Sequence, residues 1–139
     1  MMEHSIAAKL TDEMRSEMIS FNGDIKIADN RVVRDAFEEW LGTNNTSVKE
    51  RMSGFELTYE DEDTYVFCYE ATVRAGVNPF YLFEGSLEGV ESDSIEKLRA
   101  LIRVCVGKDL ECIIDYTPVD DEGDPVGEEV TISRMDIST

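Results

Sequence analysis

The chain has 139 residues, 31 acidic against 13 basic, and a net charge of −18 at neutral pH. That length suits one domain, and an apolar content of 42% is enough for one core and too much for a disordered acidic tail. So negative a chain argues against direct binding to nucleic acid or to an anionic membrane, both of which need clustered Lys and Arg.

The charge is unevenly placed. Residues 1–54 hold ten acids and seven bases, a net −3; residues 55–139 hold twenty-one acids and six bases, a net −15. The N-terminus has no basic n-region, and its first apolar residues are soon broken by Lys9, Asp12 and Glu13, so no secretory signal is expected. The longest apolar runs, such as Val104 to Val106 and Cys112 to Ile114, are far too short to cross a bilayer. Cys68, Cys105 and Cys112 each lie in an apolar run, with no Cys-x-x-Cys pair. This usage reads as reduced core thiols in a cytoplasmic protein.

From about Ser5 to Met18 the spacing of Ile6, Leu10, Met14 and Met18 predicts one helical stripe. Asn22-Gly23 signals a turn, and Ile25 and Ile27 alternate with polar residues as in a short strand. Asp29 or Asn30 is placed to cap a second helix, in which Val33, Ala36, Phe37, Trp40 and Leu41 recur at three and four. Gly42 stops it. Thr43 to Ser53 is polar and reads as a loop with a short helical turn at Ser47 to Met52.

At Phe55 the period changes to two. Phe55, Leu57 and Tyr59 alternate with polar neighbours, the acidic turn Glu60-Asp61-Glu62-Asp63 follows, and Tyr65, Phe67, Tyr69 and Ala71 alternate in turn. This is a β-hairpin. Asn78-Pro79 breaks the pattern and Phe80 to Phe83 reads as another short strand or edge. Ser92 or Ser94 is placed to cap a third helix, lined by Ile95, Leu98, Ile102 and Cys105 and ended by Gly107. Leu110 to Val119 and Glu128 to Met135 form a last strand pair around the loop Asp120 to Pro125. The whole predicts a single α+β domain: an antiparallel sheet of about four to six strands packed with two or three helices on one face. Its more helical part is about 1–54 and its strand-rich, most acidic part about 55–139.

No catalytic or metal constellation assembles from these residues. The only histidine, His4, lies near an end expected to fray, and one histidine with three dispersed cysteines gives no zinc spacing. Glu70, Glu111 and Asp115, beside apolar strand residues, are the carboxylates to inspect first for acid–base chemistry; solvent-facing strand positions are the favoured reading of all three. Asp120-Asp121-Glu122-Gly123-Asp124 with Glu128-Glu129 is dense in hard ligands but fails the EF-hand template. Gly85-Ser86-Leu87-Glu88-Gly89 lacks the Gly-Lys-Ser/Thr ending of a P-loop. Trp40 and most of the five tyrosines read as core. No cofactor is expected.

The acidity itself is the functional signal. Eighteen charges match the charge on ~30 Å of duplex, and a compact domain of this length is roughly 35–40 Å across. The expectation is a non-enzymatic inhibitor whose acidic surface imitates nucleic acid and blocks a basic, nucleic-acid-binding protein. By composition, and by no motif, this suggests the anti-defence inhibitors of phages and plasmids. The contact residues expected are Glu60, Asp61, Glu62 and Asp63 in one turn, and Asp120, Asp121, Glu122, Asp124, Glu128 and Glu129 in the other. The rival reading is an acidic α+β adaptor or regulatory module whose charge serves solubility, or a high-salt cytoplasm. A carboxylate-dependent enzyme is the third.

Overall fold

Stretches of period two dominate the chain and pair with one another. In the computed structural model, which describes residues 18–26, 29–51, 54–71 and 80–137, they build one antiparallel sheet of seven strands. The strands are β1 (Met18–Lys26), β2 (Ser47–Arg51), β3 (Gly54–Glu60), β4 (Thr64–Glu70), β5 (Phe80–Glu88), β6 (Glu111–Val119) and β7 (Val130–Ile132). Their spatial order is β2-β3-β4-β5-β1-β6-β7. Two helices, α1 (Asn30–Leu41) and α2 (Glu91–Gly107), complete the described fold. The α+β class therefore holds, with more strands than the four to six expected.

One face of the sheet carries the core. Ile19, Phe21 and Ile25 of β1, Tyr81, Phe83 and Leu87 of β5, and Cys112, Ile114 and Tyr116 of β6 all point to it and are buried. Against them pack Val33, Ala36, Phe37 and Trp40 of α1 and Leu98, Leu101, Ile102 and Cys105 of α2. Phe21, Phe37, Trp40 and Phe83 form an aromatic cluster with ring centroids 5.6–6.3 Å apart. The Trp40 indole N–H donates to the Lys97 carbonyl at 2.7 Å, which ties the two helices together.

The second helix of the sequence reading is α1 within a residue. Asp29 caps it, its carboxylate accepting the Arg31 N–H at 2.7 Å, and Gly42 ends it in the left-handed region at φ 72°. Five expectations change. The stripe from Ser5 lies outside the described residues, and its last member, Met18, opens β1 instead. The Asn22-Gly23 turn does not form, because β1 runs straight through it between β5 and β6. Ser47–Arg51 is an edge strand, with Val48 opposite Leu57 and Lys49 and Glu50 exposed. Ser92 and Ser94 lie inside α2, whose N-cap is Val90 with no side-chain bond; Glu91 and Asp93 complement the helix dipole there. The expected strand from Glu128 to Met135 is shorter as well. It stops at Ile132, where Ser133 and Asp136 cap each other's backbone and wind a 3-10 turn at Arg134–Asp136.

Gly23 and Gly85 show why β1 and β5 can lie under aromatic rings. A Cβ on Gly23 would strike the Ile113 carbonyl and come within 2.5 Å of the Phe83 ring. One on Gly85 would strike the Tyr65 carbonyl and sit 2.7 Å from the Phe21 ring. Gly85→Ala is expected to destabilise the fold by about 2–3 kcal/mol, since backbone must move to admit the methyl. Gly107→Ala, with open space around it, is expected to be neutral or to stabilise by up to ~1 kcal/mol. Urea titration of both variants checks the contrast.

Candidate functional site

Strand direction decides where the acidic segments go. Strands β3, β5 and β6 all run opposite to β1, or parallel to strands that do, so their C-terminal ends gather where β1 begins. The register makes this concrete: Glu60 lies opposite Tyr65, Thr64 opposite Leu87, Leu87 opposite Ile19, and Val119 opposite Met18. The turn after Glu60 and the segment after Val119 therefore leave the sheet at the same end. Between them stand β5 and β1, a separation of about 15 Å from β4 to β6 at the usual strand spacing.

More acids join them there. Glu88 ends β5, and after Gly89 and Val90 come Glu91 and Asp93, which open α2. With Glu60 to Asp63 and the six acids from Asp120 to Glu129, thirteen carboxylates occupy one end of the sheet. All ten contact residues expected from sequence are among them. Lys97 reaches this end from α2, where its ammonium donates to the Thr64 hydroxyl at 3.1 Å and lies 5.8 Å from the Trp40 ring centroid.

Two of the acids hold their own turns. The Asp61 carboxylate accepts the N–H groups of Asp63 and Thr64, both at 2.9 Å, and the Tyr59 hydroxyl at 2.6 Å. The Asp63 carbonyl in turn accepts the Glu88 N–H at 2.8 Å, fixing the turn to β5. Asp120 does the same for its loop, accepting from Glu122 and Asp124 N–H at 2.9 Å. Replacing Asp61 or Asp120 would thus disturb the turn as well as its charge. Glu60, Glu62, Asp63, Asp121, Glu122, Asp124, Glu128 and Glu129 are exposed.

The other sequence candidates are not brought together. Glu111 and Asp115 sit four residues apart on β6, about 13 Å along the strand, and Glu70 is on β4, three strands away. Asp115 accepts a hydrogen bond from the Thr131 hydroxyl. His4 lies outside the described residues. Cys68, Cys105 and Cys112 are free and buried. Burial pushes the Cys68 thiol up, and a hydrogen bond with Cys105 together with burial pushes the Cys112 thiol up, so neither supplies a thiolate nucleophile. Among the described residues no group of three or more His, Cys, Asp or Glu is arranged to hold a metal ion, and no helix is long and apolar enough to cross a membrane.

One surface escaped the sequence reading. In β4 the inward residues are Thr64, Val66 and Cys68, so Tyr65, Phe67 and Tyr69 face away from the helices, contrary to the core reading of the tyrosines. Phe80 and Leu82 of β5 and Ile113 of β6 share that open face by register. No protein-family model matches the chain, and no curated protein matches it either.

The turn geometry has a titratable consequence. The Tyr59 hydroxyl and the Asp63 N–H hold the Asp61 carboxyl below the ordinary carboxylate range, and the same bond raises the Tyr59 phenol. A depressed carboxyl contributes stability above its unfolded value, ~3.9, and loses it as pH falls through the folded value. Tyr59→Phe is therefore expected to move Asp61 back up, read by carboxyl-carbon NMR titration. A separate test addresses the crowded end as a whole. Repulsion among its carboxylates is screened over ~8 Å at physiological salt, so the melting temperature should rise from low to moderate sodium chloride. A flat or falling curve would mean that the acids are already neutralised.

Proposed function

We propose that the protein is a non-enzymatic binding protein whose acidic end imitates the charge of nucleic acid and blocks a basic, nucleic-acid-binding protein. The observation that supports this reading is the convergence of both acidic turns and the α2 N-terminal acids on one end of the sheet. Thirteen carboxylates equal the charge on about 22 Å of duplex, and the edge of seven strands spans about 29 Å at ordinary strand spacing. Charge density along that edge is thus of the order of a duplex backbone. A positive groove built for phosphates meets a comparable field here, with no base edges to read. The partner's basic surface steers the encounter, so the affinity and association rate fall with salt. Action inside the cytoplasm, against a host or rival nucleic-acid-handling machine, fits the anti-defence class of inhibitor.

The test uses charge reversal at turn residues that hold no backbone. Glu62→Lys, Asp121→Lys and Glu122→Lys together should slow association and weaken binding tenfold or more. Asp35→Lys, Glu50→Lys and Glu111→Lys, away from the acidic end, form the matched control and should do much less. A panel of purified basic DNA-binding proteins, each loaded with a fluorescent duplex, supplies the readout as displacement of the duplex. If the two triple variants displace alike, or the duplex and the protein bind together without competing, the acidic surface serves solubility in an ordinary adaptor.

A further inference from the structure

The open face of β4 carries three aromatic rings in line, and carboxylates stand beside them. Tyr65, Phe67 and Tyr69 point to the same side, their backbone positions about 6.8 Å apart along the strand. Tyr65 is 36% exposed; Phe67 and Tyr69 are half-buried and stacked on each other, centroids 5.5 Å apart. None of the three belongs to the core cluster. Glu60 lies directly opposite Tyr65 on β3, and Glu84 directly opposite Phe67 on β5. Beside Tyr69 a recess of about 220 Å³ opens, lined by Asn22, Gly23, Tyr69, Leu82, Phe83 and Glu84.

We propose that this face docks an arginine-bearing extended segment of the partner, with one arginine side chain seated in the recess between Tyr69 and Glu84. The proposal rests on the acidic-surface reading above and adds which cation the partner presents. A guanidinium is planar and weakly hydrated, stacks on aromatic rings and pairs with a carboxylate through its fork of N–H groups. Its methylenes lie well against an apolar wall such as Leu82. A lysine ammonium is a compact, strongly hydrated charge and gains less from the same rings. An extended segment presents side chains to one side every second residue, the spacing of the β4 ladder. A second copy of this chain is the wrong occupant, since Glu60, Glu84, Glu88 and Asp115 would face their own like.

Two nine-residue peptides, alternating Arg-Ser and Lys-Ser with equal charge, serve as probes of the full chain by fluorescence anisotropy. The arginine peptide is expected to bind about tenfold tighter than the lysine peptide. Tyr65→Thr and Phe67→Thr, which keep strand-forming side chains, should erase that advantage while leaving the lysine peptide unchanged; Glu84→Gln should weaken the arginine peptide more. Tyr65→Thr, at the exposed end of the ladder, is the variant least exposed to a folding defect, and circular dichroism controls for one. If both peptides bind equally and the aromatic variants change nothing, the arginine proposal falls and the acidic-surface reading stands. If neither peptide binds, and reversing Glu62, Asp121 and Glu122 is also without effect, both fall. A concentration-dependent dimer that Phe67→Thr dissolves would assign the face to a second copy and overturn the proposal.

Discussion

Everything in this fold hangs on β1 being held from both sides. Each of its nine residues faces a partner on β5 and another on β6, so the strand that comes first among the described residues lies inside the sheet. Its insertion requires close approach: Gly23 lies under the Phe83 ring and Gly85 under the Phe21 ring, with backbone where any Cβ would be. The arrangement forces β5 and β6 to run parallel to each other on either side of β1, joined by α2 across the helix-covered face. Without β1 in that slot, the meander β2 to β5 and the pair β6–β7 would have no shared edge.

From that constraint the distribution of charge follows. In an antiparallel sheet, strand direction sorts whatever follows each strand to one end or the other. This chain places most of its acidic turns after β3, β5 and β6, which all finish beside Met18, whereas β1, β2 and β4 finish at the other end on Lys26, Arg51 and Glu70. The excess of acids after residue 55 becomes a spatial asymmetry because of topology. The number of acids alone would not produce it, since the same segments after strands of alternating direction would scatter over both ends.

Local signals were legible where one residue type has one physical use. Asp29 before an apolar three-four repeat, and Gly42 after it, specify a capped helix with almost no freedom, and α1 begins and ends there. The hairpin around Glu60 to Asp63 was equally readable, as was the acidic composition of both turns. What failed was decided by partners distant in sequence. Asn22-Gly23 forms no turn because β5 and β6 satisfy the backbone on both sides of it. Ser47–Arg51 looks polar because it is an edge with one neighbour. In β4 both faces are apolar, and the period-two pattern could not say which set the helices would cover. Register settled it: Thr64, Val66 and Cys68 lie opposite Leu87, Gly85 and Phe83 on the helix-covered side of β5, and the larger rings are left outside. Convergence of the acids was likewise invisible, because it depends on strand order and on no residue of either turn.

Hydrogen bonds accepted by two of its own carboxylates order both turns of the acidic end. Asp61 and Asp120 spend their carboxylates on turn N–H groups, and Glu91 and Asp93 sit where the dipole of α2 favours them. Four of the thirteen acids thus have a structural reason to be there, and a purely structural account could stop with them. It does not extend to Glu62, Asp121, Glu122, Glu128 and Glu129. Those are exposed, hold up no turn through a side-chain bond, and add like charge to a crowded edge, which opposes folding. Loops whose backbone is already fixed lose little conformational freedom when something docks on them. The structural acids therefore determine how well the remaining ones are presented: the first set orders the turns, and the second projects from them as a preformed negative edge.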